Sequence, residues 1–123
     1  MKRARVLVVD DDARLARALK ALLDDEHDVS VETSASSAYA RLAGGERFDV
    51  VFCDLMMREM TGMDLFEKLG AAHPEATAPF VFMTGGAFTA RAQTFLDRVE
   101  NPCVEKPFAR GQLLALIAKR LQA

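Results

Sequence analysis

Phe48-Asp49-Val50-Val51-Phe52-Cys53-Asp54 is the stretch that decides the architecture of this chain. Five of its seven residues are apolar, three of them in succession at 50–52, and a short apolar run ending abruptly in a carboxylate predicts a buried strand. Such a strand delivers Asp54 to its own carboxyl end. In open parallel sheets ligands and chemistry gather at that end, so Asp54 stands where a reactive group belongs.

The pattern repeats on both sides of it. Val6 to Val9 is an aliphatic run too short for a helix, followed at once by Asp10, Asp11 and Asp12. Leu15, Leu19, Leu22 and Leu23 then recur at helical spacing with Arg14, Arg17 and Lys20 on other faces. This predicts an amphipathic helix from Ala13 with Asp12 as N-cap, ending near Asp24 to His27. Val29 and Val31 alternate with polar neighbours up to Thr33 as an edge strand. Ser34 to Ser37 open a short helix through Tyr39 and Leu42 that ends at Gly44-Gly45.

After the central strand a loop over Leu55 to Thr61 leads into a helix from about Gly62, with Leu65, Phe66 and Leu69 facing inward and Gly70 and Pro74 stopping it. Phe80 to Met83 makes a fourth strand, closed by Thr84-Gly85-Gly86, and a helix follows from Thr89 to about Val99. Pro102 to Glu105 is a short fifth strand, closed by Lys106-Pro107-Phe108; Leu113, Leu116, Ile117 and Leu121 form the inner stripe of a last helix. Five strand-helix units with short connections imply a parallel α/β sheet with right-handed crossovers and helices on both faces. The loops after the strands therefore converge on one edge and bring Asp10, Asp11, Asp54, Thr84 and Lys106 together.

At 123 residues, half of them apolar, the chain is expected to form a single domain over 1–123. Its net charge of −2, with both signs interleaved, gives no electrostatic footprint for nucleic acid or an anionic membrane. No apolar segment approaches the length of about 20 residues that a membrane span needs, and the start is too short for a signal peptide, so a cytoplasmic location is expected. Cys53 and Cys103 lack CxxC spacing and are expected to be small apolar residues rather than ligands or a disulfide. His27 and His73 fall in predicted turns and are expected to be solvated.

Two carboxylates about 4 Å apart repel by about 4 kcal/mol at an effective dielectric near 20, so crowding Asp10, Asp11 and Asp54 calls for a positive partner. A hard divalent cation, magnesium or manganese, takes oxygen ligands from one or two carboxylates and keeps positions for phosphate oxygens. Lys106 adds a fixed positive charge. A carboxylate so placed is suited to attack phosphorus and form an aspartyl phosphate, with the cation and Lys106 neutralising the transferring group and Thr84 hydrogen-bonding one phosphoryl oxygen. Gly85 and Gly86 would let the backbone pass close to that group.

Over essentially its whole length the chain resembles the receiver domain of two-component response regulators, through Val8-Val9-Asp10-Asp11, Asp54 with Met57 and Gly62 downstream, Thr84-Gly85 and Lys106-Pro107-Phe108. The resemblance implies a flavodoxin-like (βα)5 three-layer sandwich with sheet order 2-1-3-4-5 and a cis peptide between Lys106 and Pro107. It implies that Asp54 is the phosphoacceptor. Asp11 and Asp54 would ligate magnesium together with the backbone carbonyl of Met56, Asp10 would act mostly through a metal-bound water, and Thr84 and Lys106 would contact the phosphoryl group. It also implies a signalling domain rather than an enzyme, one that catalyses only its own phosphorylation and dephosphorylation. The donor would be a sensor histidine kinase or histidine phosphotransfer protein, and the output a downstream protein or a homodimer through helix four, strand five and helix five.

Three features depart from that family, at four positions. Arg58 stands where proline is usual, which frees a φ angle and brings a guanidinium near the site, directed at phosphate or at solvent. Cys103 replaces the aromatic residue that commonly follows the threonine's movement, so coupling would run through Thr84 and the loop ahead of helix four. Met56 and Gly86 border the water that attacks the acyl phosphate and offer it no polar side chain, which predicts slow self-dephosphorylation. Because the sequence ends at Ala123, shortly after the last helix, it is expected to carry no output domain, or to be the receiver segment of a hybrid histidine kinase. A phosphohydrolase with an aspartate nucleophile would need a second acid where Met56 stands. A flavin module would need a glycine-, serine- and threonine-rich cradle where the first loop is acidic.

Overall fold

Strands covered on both faces bury every side chain whichever way it points, and this chain's central strands are built accordingly. The computed structural model describes residues 2–86 and 89–122. β1 (Arg5–Val9), β3 (Val50–Asp54) and β4 (Phe80–Thr84) form the middle of the sheet, and β3 and β4 are buried at all positions. β2 (Asp28–Glu32) and β5 (Cys103–Glu105) are the edges. All pairings are parallel and the order is β2-β1-β3-β4-β5, the flavodoxin-like arrangement.

Successive residues of each strand feed opposite cores. Leu7, Val9, Val51, Cys53, Phe80 and Phe82 meet α2 (Ala35–Ala43), α3 (Gly62–Ala72) and α4 (Ala90–Arg98). Val6, Val8, Val50, Phe52, Val81 and Met83 meet α1 (Ala13–Leu23) and α5 (Arg110–Gln122). Phe95 of α4 stands edge-on to Phe82 at 5.1 Å and to Phe66 at 5.5 Å, and Arg91 and Arg98 of α4 pair with Asp64 and Glu67 of α3. Among the described residues no helix is long and apolar enough to cross a membrane.

Several sequence expectations need correction. The central strand begins at Val50, not Phe48. Asp49 is instead tied to Arg5 by its carboxylate at 2.8 Å, and the Phe48 ring lies under the Arg5 and Arg41 guanidiniums. Leu15 does not face inward but is 44% exposed; α1 buries Ala16, Leu19 and Leu23. α3 continues through Gly70 to Ala72 before His73 caps it, and Leu116 of α5 is only partly buried beside fully buried Leu113 and Ile117.

His27 is buried, not solvated. Its Nδ1 accepts the backbone N–H of Ala4 at 3.0 Å, which fixes the proton on Nε2, and burial above all holds its pKa below the usual value.

Candidate functional site

Strand register brings the acids level. Val9 pairs with Cys53, so Asp10 and Asp54 leave adjacent strands side by side, and Asp54 itself pairs with Met83 one residue before Thr84. Asp12 then ends the first turn by capping α1, its Oδ1 accepting the N–H groups of Arg14 and Leu15, as its place after the strand suggested. On the far side, the Lys106 N–H donates to the Thr84 carbonyl at 2.7 Å, and the Lys106–Pro107 peptide is cis. The lysine side chain reaches the acid behind β1, its Nζ donating to Asp10 Oδ2.

Asp10, Asp11 and Asp54 each present an oxygen within 4.8 Å of the others. Asp10 is nearly inaccessible: its Oδ1 accepts from the Asp12 N–H at 2.9 Å and its Oδ2 from Lys106 Nζ at 3.1 Å. Lys106 Nζ also lies 3.5 Å from Asp54 Oδ1. Burial and then the neighbouring Asp10 push the Asp54 carboxyl up to about 6, against Lys106 and the Met56 backbone N–H, which pull it down. Burial draws the Lys106 ammonium down, but the Asp54 and Asp10 carboxylates outweigh it and hold it charged, above the usual lysine range.

Asp54 is thus largely ionised near neutrality and under-compensated: one ammonium serves two buried carboxylates. Hard oxygen donors gathered with a net negative charge are the donor set for a divalent cation of the magnesium type, so the residues present fit such an ion. Asp11, at the rim, gives its Oδ2 to Arg58, both to the backbone N–H at 3.0 Å and to Nε at 3.2 Å. The sequence left Arg58 pointing at phosphate or solvent; it does neither exclusively, holding Asp11 while most of its side chain stays in water.

Thr84 is buried beside the acids, its Oγ1 accepting the Gly86 N–H at 3.1 Å and keeping its own proton to donate. Gly86 is needed for a reason other than the one expected. Its φ is +94°, and a Cβ there would lie 2.5 Å from the Glu105 carboxylate, while a Cβ on Gly85 would meet nothing. Gly62, which opens α3, is closer still to Asp54: its N–H donates to the Leu55 carbonyl at 2.9 Å, and a Cβ would fall 2.2 Å from the Asp54 carbonyl oxygen. Cys103 pairs with Phe82 and is half-buried, and both cysteines are free thiols. The expected coupling through the loop ahead of α4 falls on residues 87–88, outside the described residues.

Acids behind β1 and β3, a threonine behind β4 and a lysine behind β5 thus stand together at the carboxyl edge of a flavodoxin-like sheet, the edge where ligands gather in such folds. The model of the response regulator receiver domain matches residues 6–118, and the chain belongs to that family. It is 35% identical to the DNA-binding response regulator MtrA of Mycobacterium tuberculosis over 98% of this chain and 51% of that protein. It is 29% identical to the transcriptional regulatory protein DltR of Streptococcus agalactiae over 94% and 51% respectively. The chain thus spans about half the length of the curated relatives it matches. A solved CheY-like response regulator receiver domain protein from Methanospirillum hungatei superposes with a TM-score of 0.83 at 25% identity, covering 98% of this chain and 95% of that one. The chain is therefore a receiver domain of two-component signalling.

Proposed function

We propose that this receiver, a single domain over 1–123, takes a phosphoryl group from a phosphohistidine onto Asp54 and thereby alters a protein-binding surface. The observation that carries the reading is the position of Asp54: 8% exposed, ionised beside a second buried acid, and 3.5 Å from the only ammonium in the cluster among the described residues. An Asp54 carboxylate oxygen attacks phosphorus in line with the departing imidazole nitrogen. The P–O bond forms as the P–N bond breaks, and the electron pair leaves on the imidazole, which takes up a proton from water.

Lys106 neutralises charge on the transferring group, and Thr84 Oγ1–H donates to one of its oxygens. Asp11, Asp54 and the Met56 carbonyl would hold magnesium or manganese, with Asp10 acting through a bound water; the cation supplies charge neutralisation at the phosphoryl oxygens. The donor is a sensor histidine kinase or a histidine phosphotransfer protein in the cytoplasm. The output is a protein partner or a second copy of this chain across α4, β5 and α5. The interleaved charge of the domain gives it no nucleic-acid footprint of its own.

Incubation with acetyl phosphate and magnesium, followed by intact-mass measurement, tests this. The wild type gains one phosphoryl mass only when the cation is present, and Asp54→Ala gains none; uptake by the variant equal to the wild type would reject the assignment.

Turnover of the phosphorylated form is expected to be slow. Met56 is 49% exposed and apolar, and Gly86 has no side chain, so neither of these two positions supplies a group to orient the attacking water. Met56→Asn should accelerate loss of the phosphoryl group by about tenfold, less than the roughly 10²–10⁴-fold of a positioned general base because an amide orients the water without taking its proton. An unchanged or slower decay of the phosphorylated mass would count against this.

A further inference from the structure

Arg58 and Asp11 are 47 residues apart in sequence, yet one oxygen of Asp11 is held twice by this single residue. The usual proline would supply neither bond, since it has no N–H and no donor on its ring. The three acids are satisfied in different ways. Asp10 and Asp54 share the partly buried Lys106, whereas Asp11 is 22% exposed and its charged partner is 86% exposed. Arg58 also borders two open grooves, one lined by Asp12, Ala13 and Arg14 and the other by Thr33 and Ser34. The guanidinium therefore has room to swing away from Asp11 without disturbing the fold.

We propose that Arg58 is a built-in competitor for the divalent cation: its guanidinium occupies Asp11 Oδ2 in the metal-free receiver and sets the cation concentration at which Asp54 becomes reactive. The inference rests on the reading of Asp10, Asp11 and Asp54 as the cation-binding acids. The two bonds of Arg58 act in opposite senses. The backbone N–H is anchored in the loop and keeps the Asp11 carboxylate turned toward the rim. The guanidinium is mobile, adds positive charge beside the incoming cation and must yield or share its oxygen. Its pairing is water-exposed and hence weak, so a doubly charged ion displaces it, but only at a higher concentration than an uncontested carboxylate would require.

The test separates the two bonds. Arg58→Gln and Arg58→Ala keep the N–H and remove the charge, while Arg58→Lys keeps a charge at that position. Magnesium binding is measured by isothermal titration calorimetry on the folded, metal-free proteins, because the chain has no tryptophan and one tyrosine and so gives little fluorescence signal. The dissociation constant should fall about three- to tenfold in Arg58→Gln and Arg58→Ala, remain near wild type in Arg58→Lys, and the difference should shrink in high salt, as screening of an exposed charge requires. The magnesium concentration for half-maximal phosphoryl uptake from acetyl phosphate should fall in step.

Wild type that binds magnesium and is phosphorylated on Asp54, with Arg58→Gln binding no more tightly, would overturn the competitor role and leave the receiver reading standing. Failure of every form to bind magnesium or to take up phosphoryl would overturn both.

Discussion

Asp54→Asn should make the metal-free domain more stable at neutral pH, although it removes the carboxylate proposed to receive the phosphoryl group. The Asp54 carboxyl is raised from 3.8 to about 6, by burial first and by Asp10 second. A folded-state pKa above the unfolded value means that the stability present while the carboxyl is protonated is lost as pH rises through about 6, because folding then buries an ionised group. At roughly 1.4 kcal/mol per pKa unit the full penalty is at most about 3 kcal/mol, and sharing Lys106 with Asp10 reduces the gain from asparagine to about 1–2 kcal/mol.

In thermal melts with chelator at pH 7.5 the variant should melt about 4–8 °C above wild type, and at pH 4.5, between the unfolded value of 3.8 and the folded value of about 6, most of that gap should be gone. Added magnesium should narrow the gap at pH 7.5, since the cation binds the folded wild type and stabilises it by mass action. A variant less stable than wild type at pH 7.5 would show that Lys106 fully offsets the crowding, and that Asp54 is not held at an energetic disadvantage.

Gly62→Ala should be among the most damaging single-methyl additions in the chain. The new Cβ would fall 2.2 Å from the Asp54 carbonyl oxygen, 3.0 Å from its carbon and 3.1 Å from Cys53 Sγ, so backbone must move. Two elements meet there: the carboxyl end of β3 and the first residue of α3, clamped by the Gly62 N–H to the Leu55 carbonyl. Pushing them apart also breaks the capping box in which Thr61 and Asp64 satisfy each other's backbone N–H. A loss of about 2–4 kcal/mol is expected, with weaker magnesium binding because Asp54 moves with its carbonyl.

Gly70→Ala is the control. Its Cβ would meet only Thr77 Cγ2 at 3.5 Å, an ordinary contact, and Gly70 lies in the last turn of α3, so that variant should gain about 0.5 kcal/mol. Chemical denaturation of the three proteins measures both; equal stability of Gly62→Ala and wild type would mean that the close approach at the acceptor does not constrain the site.

What could be seen in the sequence was whatever a short window carries. Valine runs ended by acids located β1 and β3, and with Thr84 and Lys106 they located the rim. What could not be seen depended on partners distant in the chain or on small residues. His27 passes for a turn residue until Ala4, 23 positions earlier, offers its N–H. Leu15 looked inward because leucines were counted, but Ala16 sets the phase of α1 and a small apolar residue leaves little signal in such a count. Phe48 belonged to an apolar run, yet two guanidiniums from β1 and α2 cover it and the sheet pairing starts later. The Arg58–Asp11 pairing joins loops from different strand-helix units, so no local pattern announces it. Gly62 matched a family position, while its reason, contact with the acceptor's own carbonyl, is purely tertiary.

If Asp54, rather than either acid behind β1, receives the phosphoryl group at the edge where all three converge, the modification can be placed chemically. Reduction of the acetyl-phosphate-treated protein with borohydride converts an aspartyl phosphate to homoserine, and peptide mass mapping then locates it. Homoserine is expected at position 54 alone and only when magnesium was present. Homoserine at position 10 or 11, or conversion independent of the cation, would contradict it.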